Sequence, residues 1–252
     1  MKKRKEAISI QIKPATYVYE SKKNFKKLST GDPELDALLD GGFMAPNLYL
    51  LYGNRRIIQK ILLTTSINSQ LPPNLGGFSE SSKVGFLDCN FSFKPFFITR
   101  HALFLGLNPN KTLENILISR AFTWENLVEL LAERLEVLDI KVIVVSGLTD
   151  FFDPKVKSNF QDLLTGIGKL KELILKKKLI GIVTTSYADN SKYKPAGGKI
   201  LSHFVTYMVE IKTRSNRIEY LLRKGDKPKR RIRWAIEKKN FSLQKSLDTF
   251  MR

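Results

Sequence analysis

Residues 48–67 read LYLLYGNRRIIQKILLTTSI: an apolar run, a glycine, a short turn and an amphipathic stretch. Strand, glycine turn and helix are the outline of a phosphate-binding loop, whose full form places GxxxxGK[ST] between a strand and a helix. Such a loop works through parts that can be checked singly. Its glycines let backbone N–H groups converge on phosphate, its lysine bridges the terminal phosphates, and its hydroxyl ligates Mg²⁺. Gly53 fills the first glycine position, but Ile58 stands at the second, Gln59 at the lysine and Lys60 at the hydroxyl. A β-branched side chain suits a crowded loop poorly, and an ammonium has no lone pair to give a metal. Arg55, Arg56 and Lys60 still gather at the start of the helix, where its dipole favours an anion. The competing reading makes the two arginines solvated turn residues and lets Lys60 snorkel along the helix.

The chain of 252 residues carries a net charge of +19, unevenly placed. Residues 1–27 contribute +7 and residues 212–239 contribute +9, whereas residues 28–211 contribute only +2. A near-neutral body with two basic flanks, interleaved with aromatic and β-branched residues, points to a polyanion. The alternative is a lysine-rich surface that serves solubility. Cys89 is the single cysteine, and His101 and His203 lie far apart, so neither a disulfide nor a cysteine- or histidine-based metal site is expected. The N-terminus MKKRKEAISIQIKP lacks a signal-peptide apolar stretch, and no run approaches the ~18 apolar residues of a membrane span. A cytoplasmic location is the expectation.

The elements that must position these residues follow a repeating pattern. LSTGDPELDALLD (28–40) predicts a turn and a short helix, with Asp32 as N-cap, Pro33 at the first helical position and Gly41-Gly42 at the end. Strands are predicted at 47–52, 84–89, 116–122, 141–148 and 179–186, alternating with helices at 56–68, 93–106, 124–138 and 158–178. Continuous apolar strands between helices imply a parallel sheet covered on both faces. After a polar loop at 187–199, the segments 203–212, 217–224 and 230–238 alternate as antiparallel strands joined by TRSN and GDKPK. The expected organisation is a basic segment at 1–27 and one α/β domain over 28–252, with a basic hairpin region at 212–239.

Four stretches in this order resemble the RecA/RadA recombinase family, and within it an archaeal RadA paralogue. LSTGDPELDALLDGG (28–42) resembles the segment leading into the family's nucleotide site, and VGFLDCNFSFKPFFI (84–98) its strand and helix written D-T-E-x-x-F-R-P-E-R. KVIVVSGLTDFF (141–152) resembles its Walker B strand, and KPAGGKILSHFVTYMVEI (194–211) its second DNA-binding loop. The resemblance spans residue 28 to about 240. It implies a RecA-like P-loop NTPase core, mostly a parallel sheet with helices on both faces and an antiparallel C-terminal extension.

Mapped onto this sequence, the family's Mg²⁺-orienting aspartate corresponds to Ser146 and its water-activating glutamate to Asn90. The polar pair after the fourth strand corresponds to Thr185-Ser186. An amide is no general base at neutral pH. With Gln59 and Lys60 also replaced, the expectation is that the chain is not an enzyme and uses no ATP or Mg²⁺ cofactor.

The family's two DNA loops correspond to 148–160, with Lys155, Lys157, Phe151 and Phe152, and to 187–199, with Lys192, Tyr193, Lys194 and Lys199 around Gly197-Gly198. Lysines hold phosphates without sequence preference and rings stack on exposed bases. Core packing is the favoured reading of the two phenylalanines, and Tyr193 is open to stacking. Lys227, Lys229, Arg230, Arg231 and Arg233 could extend a DNA groove, or form a solvated sheet edge. His203 matches a family histidine between DNA loop and nucleotide and is expected here as an interior histidine; His101 is expected to be structural. The resulting expectation is a catalytically inactive, DNA-binding RadA-like paralogue, with single-stranded DNA preferred, assisting an active recombinase. Alternatives are an interaction module for an acidic protein and a weak ATPase with a rearranged site.

Overall fold

A computed structural model describes residues 26–189, 191–225 and 228–234. Lys227, most of the basic N-terminal segment and the end of the C-terminal basic region lie outside the described residues. Strands β1 (Lys27–Leu28) and β2 (Phe43–Met44) form a small antiparallel pair around α1 (Pro33–Leu38). The main sheet is built from β3 (Leu48–Gly53), β4 (Val84–Asp88), β5 (Ile116–Ser119), β6 (Val142–Ser146), β7 (Ile180–Thr185), β8 (Tyr207–Arg214), β9 (Arg217–Lys224) and β10 (Lys229–Trp234). Their order across the sheet is β10-β9-β8-β3-β7-β6-β4-β5. All pairs from β8 to β5 are parallel, and β8–β9 and β9–β10 are antiparallel.

The helices are α2 (Arg55–Asn68), α3 (Pro95–Phe104), α4 (Pro109–Glu114), α5 (Trp124–Glu129) with a π-helical turn at Leu130–Arg134, α6 (Ser158–Lys177) and α7 (Gly198–Phe204). Alternate strand residues serve opposite faces, so each buried strand feeds two cores. Tyr49, Leu51, Val142 and Val144 pack with Ile58, Leu62 and Ile98 on one side. Leu48, Leu50, Ile143 and Val145 pack with Trp124, Leu127, Leu163 and Ile167 on the other. The parallel sheet covered on both faces is therefore as expected from the apolar runs. Among the described residues, no helix is long and apolar enough to cross a membrane.

Asp32 caps α1 as its sequence position predicts, accepting from the Glu34 and Leu35 backbone N–H groups. Its second oxygen accepts from Tyr220 Oη at 2.5 Å and from Arg233 Nη1 at 2.6 Å, tying α1 to the far end of the chain. Burial and then this carboxylate push the Tyr220 phenol up. Asp32→Ala removes a cap and leaves two donors facing a buried gap, and is expected to lower stability by about 2 kcal/mol. Asp32→Asn keeps the cap and should lose less. Urea midpoints at an unchanged slope check both.

Candidate functional site

Strands β3, β4, β6 and β7 end side by side, and α2 begins at the same edge, so the sheet's C-terminal rim forms a cleft, the usual ligand position in such sheets. The cleft holds about 190 Å³ and is lined by Gly53, Arg55, Gln59, Asn90, Ser146 and Asp150 among others. Gly53 has φ +116°, and a Cβ there would lie 2.2 Å from the Ile211 carbonyl oxygen. Its glycine is thus required by the close passage of β8, whether or not a phosphate is held. The Arg55 guanidinium donates to the Asn90 carbonyl at 3.1 Å, and Gln59 Nε2 donates to the Ser92 carbonyl at 2.5 Å. Ser146 Oγ donates to Asn90 Oδ1 at 2.9 Å and shares a 2.7 Å hydrogen bond with Ser92 Oγ. Asp88 accepts from the Ser92 and Phe93 N–H groups at 2.8 and 3.1 Å, which holds the entry to α3.

Of the sequence positions that should grip a Mg²⁺–nucleoside triphosphate, Asn90 and Ser146 are therefore bonded to each other and Gln59 to the Ser92 carbonyl. Such a group takes a lysine, a hydroxyl and a carboxylate from a loop of this kind. The donors present here do not fit it in that arrangement. One carboxylate does reach the cleft, however. Asp150 faces Arg55, and desolvation raises its pKa against the lowering effect of that guanidinium. It escaped notice in the sequence because it lies beyond the Walker B strand. Cys89 is buried beside it, its thiol pushed up to about 12 by burial and then by Asp88 and Asp150.

The remaining loop cations divide. Arg56 is exposed. Lys60 does not join Arg55 but lines a separate hollow with Thr30, Asp32, Thr64 and Arg233. His101 stacks between Phe97 and Phe104 at 5.4 and 6.0 Å. Burial, and then the charge of Lys60, hold its pKa below the ordinary imidazole value. Lys60→Gln is accordingly expected to raise it part of the way back, as read by an NMR titration of the His101 ring.

The two candidate DNA loops meet. Phe152, Pro154 and Phe160 from one side, and Lys194, Gly197, Gly198 and Lys199 from the other, line a cavity of about 560 Å³. Lys155 and Lys157 are exposed. Phe151 packs edge-on against Trp124 at 5.7 Å and Phe152 against Phe160 at 5.1 Å, so both serve packing under the loop. The 187–199 loop is self-braced. Tyr187 bridges Pro195, the Ala188 N–H donates to the Lys194 carbonyl, and Ser191 Oγ accepts from the Tyr193 and Lys194 N–H groups. Tyr193 is 64% exposed, with Lys212 Nζ 4.8 Å from its ring centre. A second groove beside it holds Lys192, Tyr193, Lys212 and Arg214.

Two expectations change here. Residues 198–204 form α7, where a loop to 199 and a strand from 203 were expected, and His203 on that helix is exposed, not interior. Gly197 adopts φ +80° as the residue before the helix, where a Cβ would crowd Leu201 at 2.8 Å. Of this pair, Gly198 is the one that faces open space. Lys224 Nζ, unremarked in the sequence, donates to the carbonyls of Ser202, His203 and Val205 and so closes the end of α7.

Four cations of the basic hairpin each meet a carboxylate. Lys229 pairs with Asp40 at 2.7 Å, Arg230 with Glu219 at 3.0 Å, Arg231 with Glu34 at 3.9 Å and Arg233 with Asp32 at 2.6 Å. Their first partners within the described residues are thus carboxylates of this chain.

The family model described as Rad51 matches residues 21–161, more than half of the chain. The chain belongs to the Rad51 family. Over 157 residues it is 31% identical to the DNA repair and recombination protein RadA of Metallosphaera sedula, covering 60% of this chain and 48% of that protein. It is 28% identical over 216 residues to the meiotic recombination protein DMC1 of Saccharomyces cerevisiae, covering 78% and 64% respectively. With RadA of Ignicoccus hospitalis the identity is 26% over 229 residues, covering 82% and 69%. The chain thus spans about half to two thirds of these relatives. Family membership supports the RecA-like core and overturns the expectation that the chain is not an enzyme. Relatives of these names are DNA-dependent ATPases, and the matched stretch includes the loop at 53–60, Asn90 and Ser146.

Proposed function

We propose that this member of the Rad51 family binds DNA without sequence preference, single strands before duplex, and takes part in DNA repair and recombination beside a RadA-type recombinase. The observation that carries this is the meeting of the two lysine-bearing loops around one cavity with apolar walls. Phosphates would lie along Lys155, Lys157, Lys192, Lys194 and Lys199, and the exposed Tyr193 ring offers a base a stacking surface. The relatives' names, DNA repair and recombination protein and meiotic recombination protein, support the same process. Labelled single- and double-stranded DNA titrated at several salt concentrations tests it. Binding that weakens steeply with salt is expected; no binding at low salt overturns it.

A further inference from the structure

Helix α3 turns Ile98 and Ala102 into the core and leaves its opposite flank apolar and open. Phe96 is 88% exposed, Phe104 82% and Leu103 65%. Phe96, Arg100 and Leu103 recur at i, i+4 and i+7, the spacing with which a helix seats against another helix. Scattered exposed apolar residues need no explanation, but three large ones on one short helix mark an interaction surface.

Charge indicates what covers it. From Cys89 to Leu113 the sequence has Lys94, Arg100 and Lys111 and neither Asp nor Glu. Lys94 and Arg100 are exposed and form no ion pair among the described residues. Single-stranded nucleic acid stacks on aromatic rings but gains little from an aliphatic Leu103 at helical spacing. We propose that the outward face of α3 docks an acidic amphipathic helix of another protein, with its apolar stripe on Phe96, Leu103 and Phe104 and its carboxylates at Lys94 and Arg100. None of the DNA-loop residues takes part, so this stands apart from the DNA reading.

The probe is a labelled, helix-forming synthetic peptide with a Leu/Phe stripe and glutamates elsewhere, titrated against the full chain by fluorescence anisotropy. A matched peptide with lysines in place of the glutamates is the control. The double variant Phe96→Ser/Phe104→Ser leaves the charge unchanged and alters two exposed rings, one of which, Phe104, also stacks on His101; its unfolding midpoint checks the fold. Affinity for the acidic peptide is expected to fall at least about tenfold in the double variant and roughly threefold in Arg100→Gln, with the lysine peptide not bound. A photoreactive phenylalanine in the stripe is expected to cross-link to α3. Equal affinity of wild type and double variant overturns the proposal, since attraction to the basic chain as a whole would then explain binding. It is equally overturned if the double variant retains the peptide but loses oligothymidylate, phosphatidylserine vesicles or a self-association seen in wild type, which would assign the face to nucleic acid, membrane or a second copy.

Discussion

Replacing Glu210 by alanine is expected to cost about 3 kcal/mol of stability and to unfasten the 187–199 loop from the sheet. The Glu210 side chain, on β8, is fully buried. One of its oxygens accepts from Arg223 Nε and Nη2 at 2.8 and 2.6 Å. The other lies 2.9 Å from Lys212 Nζ and accepts from Tyr187 Oη at 3.0 Å. Removing the carboxylate leaves two cations and a phenol around a cavity. Breaking a fully buried pair costs roughly 3–5 kcal/mol, and the lower end applies because the Arg223 side chain is 42% exposed and can turn to water. The effect reaches the loop through Tyr187, which meets Tyr52 edge-on at 5.7 Å, while Tyr52 Oη donates to the Tyr193 carbonyl at 3.2 Å. Burial, followed by Glu210, pushes the Tyr52 phenol up to about 12, so it remains a donor throughout the neutral range. Glu210→Gln keeps the shape and a hydrogen bond but loses the charge, and should fall between. Denaturant midpoints give the stability, and limited proteolysis within 187–199 gives the loop. A Glu210→Ala protein within ~0.5 kcal/mol of wild type, with an equally protected loop, would contradict this.

Strand and helix order was legible because each apolar run is long and each helix has a period the eye can follow. The losses share a cause. α7 starts without a side-chain cap after two glycines and is closed by Lys224, some twenty residues downstream. No local pattern carries that information. α4 did have a readable start, Asn108 capping with Pro109 at the first turn, but it is only six residues long. The hairpin's ion pairs are tertiary too: Lys229, Arg231 and Arg233 meet Asp40, Glu34 and Asp32, which lie about two hundred residues earlier. A count of charge along the chain sees the excess and not the pairing. Gly53 has a second reason to be glycine that no local pattern carries. Its type was assigned to phosphate binding, yet the Ile211 carbonyl already excludes any side chain there.

That pairing separates the two basic regions by their response to salt. Replacing Lys192, Lys194 and Lys199 together with alanine is expected to weaken single-stranded DNA binding about 10- to 100-fold near 0.1 M salt and to flatten the log–log salt slope by about 2, since each phosphate contact on a single strand contributes ~0.7. All three side chains are exposed, and the loop's bracing runs through backbone groups and Ser191, so the fold should survive. Arg230→Ala and Arg231→Ala remove cations already engaged by Glu219 and Glu34, and each should leave the slope essentially unchanged, against the ~0.7 that a lost phosphate contact removes. If DNA instead displaces those carboxylates, each hairpin variant will flatten the slope by about 0.7, as much per cation as the loop variant does. An unchanged slope in the loop triple variant would remove the 187–199 loop from the interface. Tyr193→Ala adds a salt-independent arm: stacking is worth about 1–3 kcal/mol per base, so affinity should drop at every salt concentration with the slope preserved. Charge contacts and ring contacts are thereby read on different axes of one titration.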